Sequence, residues 1–229
     1  MPFSVAIDGP SGSGKSTLAK ALAKKYGFIY VDTGALYRAI GLYIQNKCLM
    51  STDVDGIIAS LPEIHIEMRL NDGQSEVWLN GSPVGDEIRT PMSSIYASDV
   101  SKIPQVRQFL LSLQRDIAAA NSVIMDGRDI GTVILPDAQV KIFMTASDEK
   151  RALRRYNELI SKGIKTTYDE VLKDVKWRDE NDRNRTVAPA VPAPDAVFLD
   201  NSGLDAAETV DAASAIIDKA LKELSGAVE

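Results

Sequence analysis

Residues 4–22 read SVAIDGPSGSGKSTLAKAL, and the fold turns on how that stretch is parsed. Phe3, Val5 and Ile7 set apolar residues in a short strand-like run, and Leu18, Ala19, Leu22 and Ala23 repeat at helical spacing. Between them, Gly9 to Ser16 matches G-x-x-x-x-G-K-[ST] at every defined position, in the strand–loop–helix setting that gives this pattern its meaning. Gly9, Gly12 and Gly14 let the backbone turn its N–H groups inward without Cβ clashes. Those amides and the N-terminus of the following helix form an anion nest. Lys15 can then reach the β- and γ-phosphates of a nucleotide, and the Ser16 hydroxyl can ligate Mg²⁺, with Thr17 beside it. Pro10, Ser11 and Ser13 complete the loop. A chance glycine turn opening a helix has no need of the lysine, the hydroxyl and both flanks together.

A phosphate loop leaves the acceptor open. A guanine-nucleotide switch carries D-x-x-G followed later by N-K-x-D. Asp200-Asn-Ser-Gly203 and Asn46-Lys47 occur in the reverse order, and Asn46-Lys47-Cys48-Leu49 lacks the aspartate, so both read as chance. A small-molecule kinase must instead supply further contacts for a second substrate.

The 229 residues carry a formal net charge of -6, which argues against a polymer nucleic acid as partner. The cations are unevenly placed: Arg128 to Arg185 holds 13 of the 26 Lys and Arg, and seven of those 13 are arginines. Solvated helix faces explain many such runs. Arginine's planar fork, however, suits phosphate oxygens, and a site with several phosphates would use it. Cys48 and His65 are the only cysteine and the only histidine. An intrachain disulfide is thereby excluded, and a zinc cluster and a Cys–His or Ser–His catalytic pair are not expected. Phe3 to Ile7 is too short for a signal-peptide core. No stretch approaches the ~20 apolar residues of a membrane span. The expectation is a soluble cytoplasmic protein of one α/β domain with small insertions.

Strand-like runs recur at Phe28–Val31, Val123–Met125, Val140–Met144 and Val197–Leu199, with helical stretches at about 103–120, 147–162, 168–182 and 205–224. This alternation predicts a central parallel sheet with helices on both faces, and ligands beyond the C-terminal strand ends. Those ends carry Asp8, Asp32-Thr33, Asp126-Gly127-Arg128-Asp129 and Asp200. Ile64, Ile66, Met68 and Leu70 alternate with polar residues, followed by turn signals at Asn71-Asp-Gly73 and Asn80-Gly81, and predict a small antiparallel β insert. His65 falls in it as a surface or half-buried strand residue. The segment 186–196, TVAPAVPAPDA, reads as an extended crossing within the domain, and Val210, Ala213, Ile217, Ala220 and Leu224 mark a helix packed on the sheet.

Four motifs taken together, IDGPSGSGKST, DTGALYRA, DGRDIGTVILPDA and RDENDRNRTVAPAVPA, resemble the bacterial cytidylate kinases over nearly the whole chain. The resemblance implies a P-loop nucleoside monophosphate kinase fold with a mobile lid, acting as a monomer that transfers phosphate from ATP to CMP or dCMP with Mg²⁺. It divides a single domain of residues 1–229 into a core (about 1–38, 100–150 and 186–229), an acceptor segment with the β insert (about 39–99), and a lid with an arginine-rich helix (about 151–185). It places Gly9 to Thr17, Arg151 and Arg155 on ATP. It places Thr33, Tyr37, Arg38, Ser98, Arg107, Arg128, Asp129, Arg178, Asp182 and Arg185 on CMP. Lys15, Arg128, Arg155, Arg178 and Arg185 become the catalytic set, with Ser16 and, through water, Asp126 on the metal.

The chemistry is compatible with these residues, since phosphoryl transfer asks mainly for positioning and charge neutralisation. Arg178, Asp182 and Arg185 lie at i, i+4 and i+7, on one face if the helix extends that far; spacing alone suits surface ion pairing equally well. Arg154 fits donor contacts or a pair with Glu158, and Arg183 has no assigned role. Rival readings are a P-loop kinase for UMP, AMP, shikimate or gluconate, and a nucleotide-dependent switch with no acceptor.

Overall fold

The computed structural model describes residues 2–71 and 74–226. The chain folds as two compact units, one made of Phe3–Phe28 and the chain from Ile124 onward, the other of Ile29–Val123. The first opens with β1 (Ser4–Asp8), whose Val5, Ala6 and Ile7 are fully buried, and passes through the glycine loop into α1 (Lys15–Tyr26).

The second unit runs β2 (Ile29–Asp32), α2 (Thr33–Asn46), α3 (Val54–Ser60), β3 (Ile66–Asn71), β4 (Gln74–Leu79), β5 (Ser82–Pro83), α4 (Pro91–Val100) and α5 (Pro104–Ala120). Its core joins Leu36, Ile40 and Ile44 of α2 to Ile57, Val100, Val106 and Leu110. At Gly41 of α2 a Cβ would stand 2.9 Å from the Tyr96 Cβ, so α4 lies close against α2. The predicted β insert is present as the antiparallel order β3-β4-β5. Met68 stands opposite Val77, and Leu79 opposite Ser82. The expected turn at Asn71-Asp-Gly73 falls on residues 72 and 73, outside the described residues. His65 precedes β3 and is exposed, with Nε2 3.0 Å from Glu67.

Helices α3 and α4 were not legible from periodicity. Both are short, and α4 has little contrast between its faces. Each nevertheless carries its start signal: Asp53 accepts from the Gly56 N–H at 3.0 Å, and Thr90 accepts from the Ser93 N–H at 3.0 Å ahead of Pro91.

The chain returns to the first unit through β6 (Val123–Gly127), a single π-turn at Ile130–Ile134, β7 (Val140–Thr145), α6 (Asp148–Ser161), α7 (Tyr168–Asn184), β8 (Val197–Asp200) and α8 (Ala206–Gly226). Its strands stand in the order β6-β1-β7-β8. β7 runs parallel to both neighbours, with Ile7 opposite Ile142 and Met144 opposite Leu199. β1 and β7 are distant in sequence yet adjacent in the sheet, which brings the loop after β1 beside the segment after β7. Helices α6 and α7 pack through Ala152, Val171 and Val175, and α7 starts on a capping box of Thr167 and Glu170. Segment 186–196 is tied into this unit as expected: Ala190 N–H donates to the Asp182 carbonyl at 2.8 Å, and Lys141 donates to Asp195 at 2.9 Å. No described helix is long and apolar enough to cross a membrane.

Candidate active site

The loop between β1 and α1 is shaped by close approach. A Cβ at Gly9, where φ is +147°, would overlap the Met144 carbonyl oxygen. At Gly12, where φ is +75°, it would stand 3.3 Å from the Arg151 Cβ. Glycine is required at both positions. Lys15 is buried, and its Nζ donates to the Pro10 carbonyl at 2.7 Å and the Ser13 hydroxyl at 3.4 Å. Burial pulls its pKa down from 10.5 to about 7, and the nearby Arg128 charge adds to the fall against the pull of Asp126, Asp8 and Asp182. Ser16 donates from Oγ to the Asp126 carboxylate at 2.9 Å, which brings the loop hydroxyl and the β6 aspartate together.

Asp8, at the end of β1, showed in the sequence only as a strand-end carboxylate. Its two oxygens accept the Ile130 and Gly131 N–H groups at 2.8 Å each, which anchors the π-turn directly after Arg128-Asp129. Burial drives its pKa up from 3.8 to about 6, against the pull of those two amides. Between these values the folded chain keeps a proton that the unfolded chain has released. Stability is therefore expected to fall as pH rises from about 4 to about 6, with a contribution on the order of 3 kcal/mol from Asp8. Denaturation free energies across that range check this against Asp8→Asn, which should lack this part of the slope. Equal slopes would remove Asp8 as the cause.

Four predicted residues gather beyond β6. Arg128 donates from Nε to Asp182 at 2.8 Å. Arg185 lies 3.9 Å from both Asp129 and Asp182 and donates from Nε to the Ala188 carbonyl at 2.6 Å. Burial pulls the Arg128 pKa down, but Asp182, Asp126 and Asp179 outweigh it and hold the guanidinium above its usual range. Arg178, Asp182 and Arg185 were to share one face only if the helix ran as far as Arg185, and that condition is not met. α7 ends at Asn184, and Arg185 reaches the cluster from extended backbone with ψ of 142°. Arg178 pairs instead with Asp174 one turn earlier, at 3.0 Å.

The three arginines of α6 take different partners. Arg151 is buried, donating to the Ser11 carbonyl at 2.8 Å and the Ala146 carbonyl at 3.0 Å, and pairing with Asp148 and Asp179 at 2.5 Å each. Asp179 is thus held by a buried arginine. Arg154 reaches the Ser13 carbonyl at 3.2 Å and the Asn201 carbonyl at 3.0 Å, not Glu158. Arg155 pairs with Glu158 at 2.8 Å. Asn201, buried beyond β8, also donates to the Ser13 carbonyl, at 3.0 Å. Nothing in the local sequence marked it, since its partner is a backbone atom in a distant loop.

In the second unit Asp32 caps α2 by accepting from the Ala35 N–H at 2.9 Å and pairs with Arg38 at 2.9 Å. Thr33 is buried, and Tyr37 nearly so. The Arg107 guanidinium stands 5.8 Å from the centre of the Tyr37 ring. Ser98 is half-buried on α4, its carbonyl accepting from the Ser101 hydroxyl at 2.8 Å.

A glycine loop closing on a buried lysine, set between parallel strands and beside an arginine–aspartate cluster, defines a P-loop kinase. The fold is shared with a gluconokinase from Sinorhizobium meliloti 1021, at a TM-score of 0.50 and 16% identity over 100% of this chain and 98% of that one. It is likewise shared with an uncharacterized protein from Eubacterium ventriosum, at 0.51 and 14% over 94% and 98%. The sequence is more specific. The family model for cytidylate kinase matches residues 5–219, and the chain belongs to the cytidylate kinase family. It is 48% identical over 208 residues to the cytidylate kinase of Caldicellulosiruptor saccharolyticus, covering 91% of this chain and 92% of that protein. It is 45% identical over 225 residues to that of Bacteroides fragilis, covering 96% and 98%.

Proposed function

We propose that this protein transfers the γ-phosphoryl group of ATP to CMP or dCMP, giving ADP and CDP or dCDP. Family membership supports the reaction, and the observation that carries the site assignment is the cluster of Arg128, Asp129, Asp182 and Arg185 in the same unit as the loop. An acceptor phosphate oxygen attacks the γ-phosphorus, and the bond to the β–γ bridging oxygen breaks with its electrons leaving on ADP. No side chain need form a covalent bond, so the work is orientation and neutralisation of charge between two polyphosphates. Lys15 and the loop amides hold the donor. Arg128 and Arg185 face the acceptor phosphate and the transferring group. The arginine–aspartate pairs offer donors and acceptors complementary to cytosine's carbonyl, ring nitrogen and amino group.

Mg²⁺ fits the residues present. The Ser16 hydroxyl and Asp126 carboxylate are hard oxygen groups 2.9 Å apart, and this cation is ordinarily held by one or two such ligands plus substrate phosphates. Bound there, it would supply charge neutralisation on the phosphate oxygens, with Asp126 acting through water. Thr33, Tyr37, Arg38, Ser98 and Arg107 are proposed CMP contacts, and Arg178 a further one after leaving Asp174. Arg151 and Arg155 are proposed for the donor side. The proposal keeps the single-domain plan with segment 151–185 as lid and arginine-rich helix, closing to exclude water and suppress ATP hydrolysis. It also takes the enzyme to be a cytoplasmic monomer.

A panel of acceptors with ATP, followed by ADP release, tests this reading. CMP and dCMP are expected to be used at least ~100-fold better in kcat/KM than UMP, AMP or GMP, as a site that hydrogen-bonds a base rejects mismatched edges. Equal rates with UMP would remove the base-reading role from Arg128, Asp129 and Asp182. Slow ATP hydrolysis unaffected by CMP would favour a switch instead.

A further inference from the structure

Two carbonyls of the glycine loop are held from outside by side chains that share one helix. Arg151 of α6 donates to the Ser11 carbonyl at 2.8 Å. One turn on, Arg154 donates to the Ser13 carbonyl at 3.2 Å, and Asn201 donates to the same oxygen at 3.0 Å. Arg154 and Asn201 also bind each other: Nη2 donates to the Asn201 carbonyl at 3.0 Å, and Nη1 to Asn201 Oδ1 at 3.3 Å. Asn201 is itself fixed to the end of β7 by its N–H on the Thr145 carbonyl, at 2.9 Å. Ser13 and Asn201 are both buried, so this is a built contact rather than a surface encounter.

The peptide plane makes these contacts consequential. The chain has no cis peptide among the described residues, and in a trans peptide the N–H points opposite to the C=O. A Ser13 carbonyl turned toward Arg154 and Asn201 therefore turns the Gly14 N–H away from them. Holding the Ser11 carbonyl does the same for the Gly12 N–H. With φ of +97° at Gly14 and +75° at Gly12, this loop samples backbone regions open to many alternatives. We infer that Arg154 and Asn201 are positioning residues for phosphoryl transfer, clamping the Ser13–Gly14 peptide so that its amide faces the donor phosphates. They touch the loop, not the nucleotide base, and preorganise donors that otherwise reorient at a cost in donor affinity. This inference rests on reading the loop as the ATP site.

The test measures KM for ATP and for CMP in Arg154→Met, Asn201→Ala and the double variant, together with calorimetric binding of inorganic tripolyphosphate. Each single change is expected to raise KM for ATP about tenfold, in keeping with the loss of a charge-assisted or buried hydrogen bond, and to leave KM for CMP within about twofold. Tripolyphosphate affinity should fall by the same factor. The double variant should lose less than the product of the two, because both donors serve one oxygen. Arg154→Lys, which retains a donor, should recover part of the loss and also serves if Arg154→Met does not fold. A lowered melting temperature with both KM values and tripolyphosphate binding unchanged would reduce the pair to a structural contact and overturn the proposal. Weaker ATP with unchanged tripolyphosphate would overturn it too, by making Arg154 and Asn201 base contacts. Failure of the native protein to bind tripolyphosphate would instead reject the donor-loop reading itself.

Discussion

Replacing Lys15 with methionine is expected to lower kcat by ~10³-fold while leaving CMP binding within about threefold. Lys15 is the loop's only cation, and its Nζ sits on the Pro10 carbonyl inside the turn. Charge develops on the β–γ bridging oxygen and the γ-phosphate as transfer proceeds, so a cation held there acts more on the transition state than on the bound substrates. Methionine keeps a straight apolar stem of similar length and removes the charge together with the donors to the Pro10 carbonyl and the Ser13 hydroxyl. The fold should tolerate the change. Burial already drives the Lys15 pKa down to about 7, which means that the charged form is disfavoured in the folded chain. Melting temperature near neutral pH is therefore expected to change little, the relief of that burial offsetting the lost hydrogen bonds. Steady-state kinetics and calorimetric titration with CMP check the two halves separately. Retained turnover would displace Lys15 from the donor site. Lost CMP binding in a folded variant would overturn the division between donor and acceptor groups.

Arg128→Met is expected to lower kcat/KM for CMP by ~10³-fold, with both kcat and KM affected. Arg128 follows the buried strand β6, pairs with Asp182 at 2.8 Å and lies within electrostatic reach of Asp126 and Asp179. In the proposed reaction its loss would remove a cation from the reacting phosphates, and it leaves Asp182 without that partner. Part of any effect could thus come from an uncompensated carboxylate, as happens when one member of an ion pair is removed. The double variant Arg128→Met/Asp182→Asn separates the two. It should regain whatever melting temperature the single change costs, because the stranded charge is gone, but it should regain no activity. Recovery of turnover in the double variant would make the pair a structural ion pair and remove Arg128 from the chemistry. Asp182→Asn alone should discriminate less between CMP and UMP, because an amide exchanges one acceptor for a donor at the base.

The donor loop was legible because its information is contiguous. Strand, glycines, lysine, hydroxyl and helix occur in nineteen residues, and each acts on atoms close to it in the chain. The meander was legible for the same reason: alternation and tight turns are local. Helices α3 and α4 escaped because short helices show little periodicity, though Asp53 and Thr90 announced their starts. The meeting of Arg128 and Asp129 with Asp182 and Arg185 was anticipated through family likeness, not through spacing. Spacing put Arg185 on the same face only if the helix ran that far, and it stops one residue before it.

What the sequence determined by itself is a complete phosphate-loop motif from Gly9 to Thr17, on an α/β scaffold whose strand ends carry aspartates. Tertiary structure decided the work of the arginines. Arg151, Arg154 and Arg155 are near neighbours on one helix, yet the first two hold the donor loop and the third pairs with Glu158. Helical spacing specifies which residues share a face, not what that face meets. Here it meets the carbonyls of Ser11 and Ser13, about 140 residues earlier in the chain. Whatever its side chain, every residue presents the same backbone carbonyl, so a carbonyl partner leaves no mark in the sequence. Only the parallel pairing of β1 with β7 brings that loop within reach of these side chains.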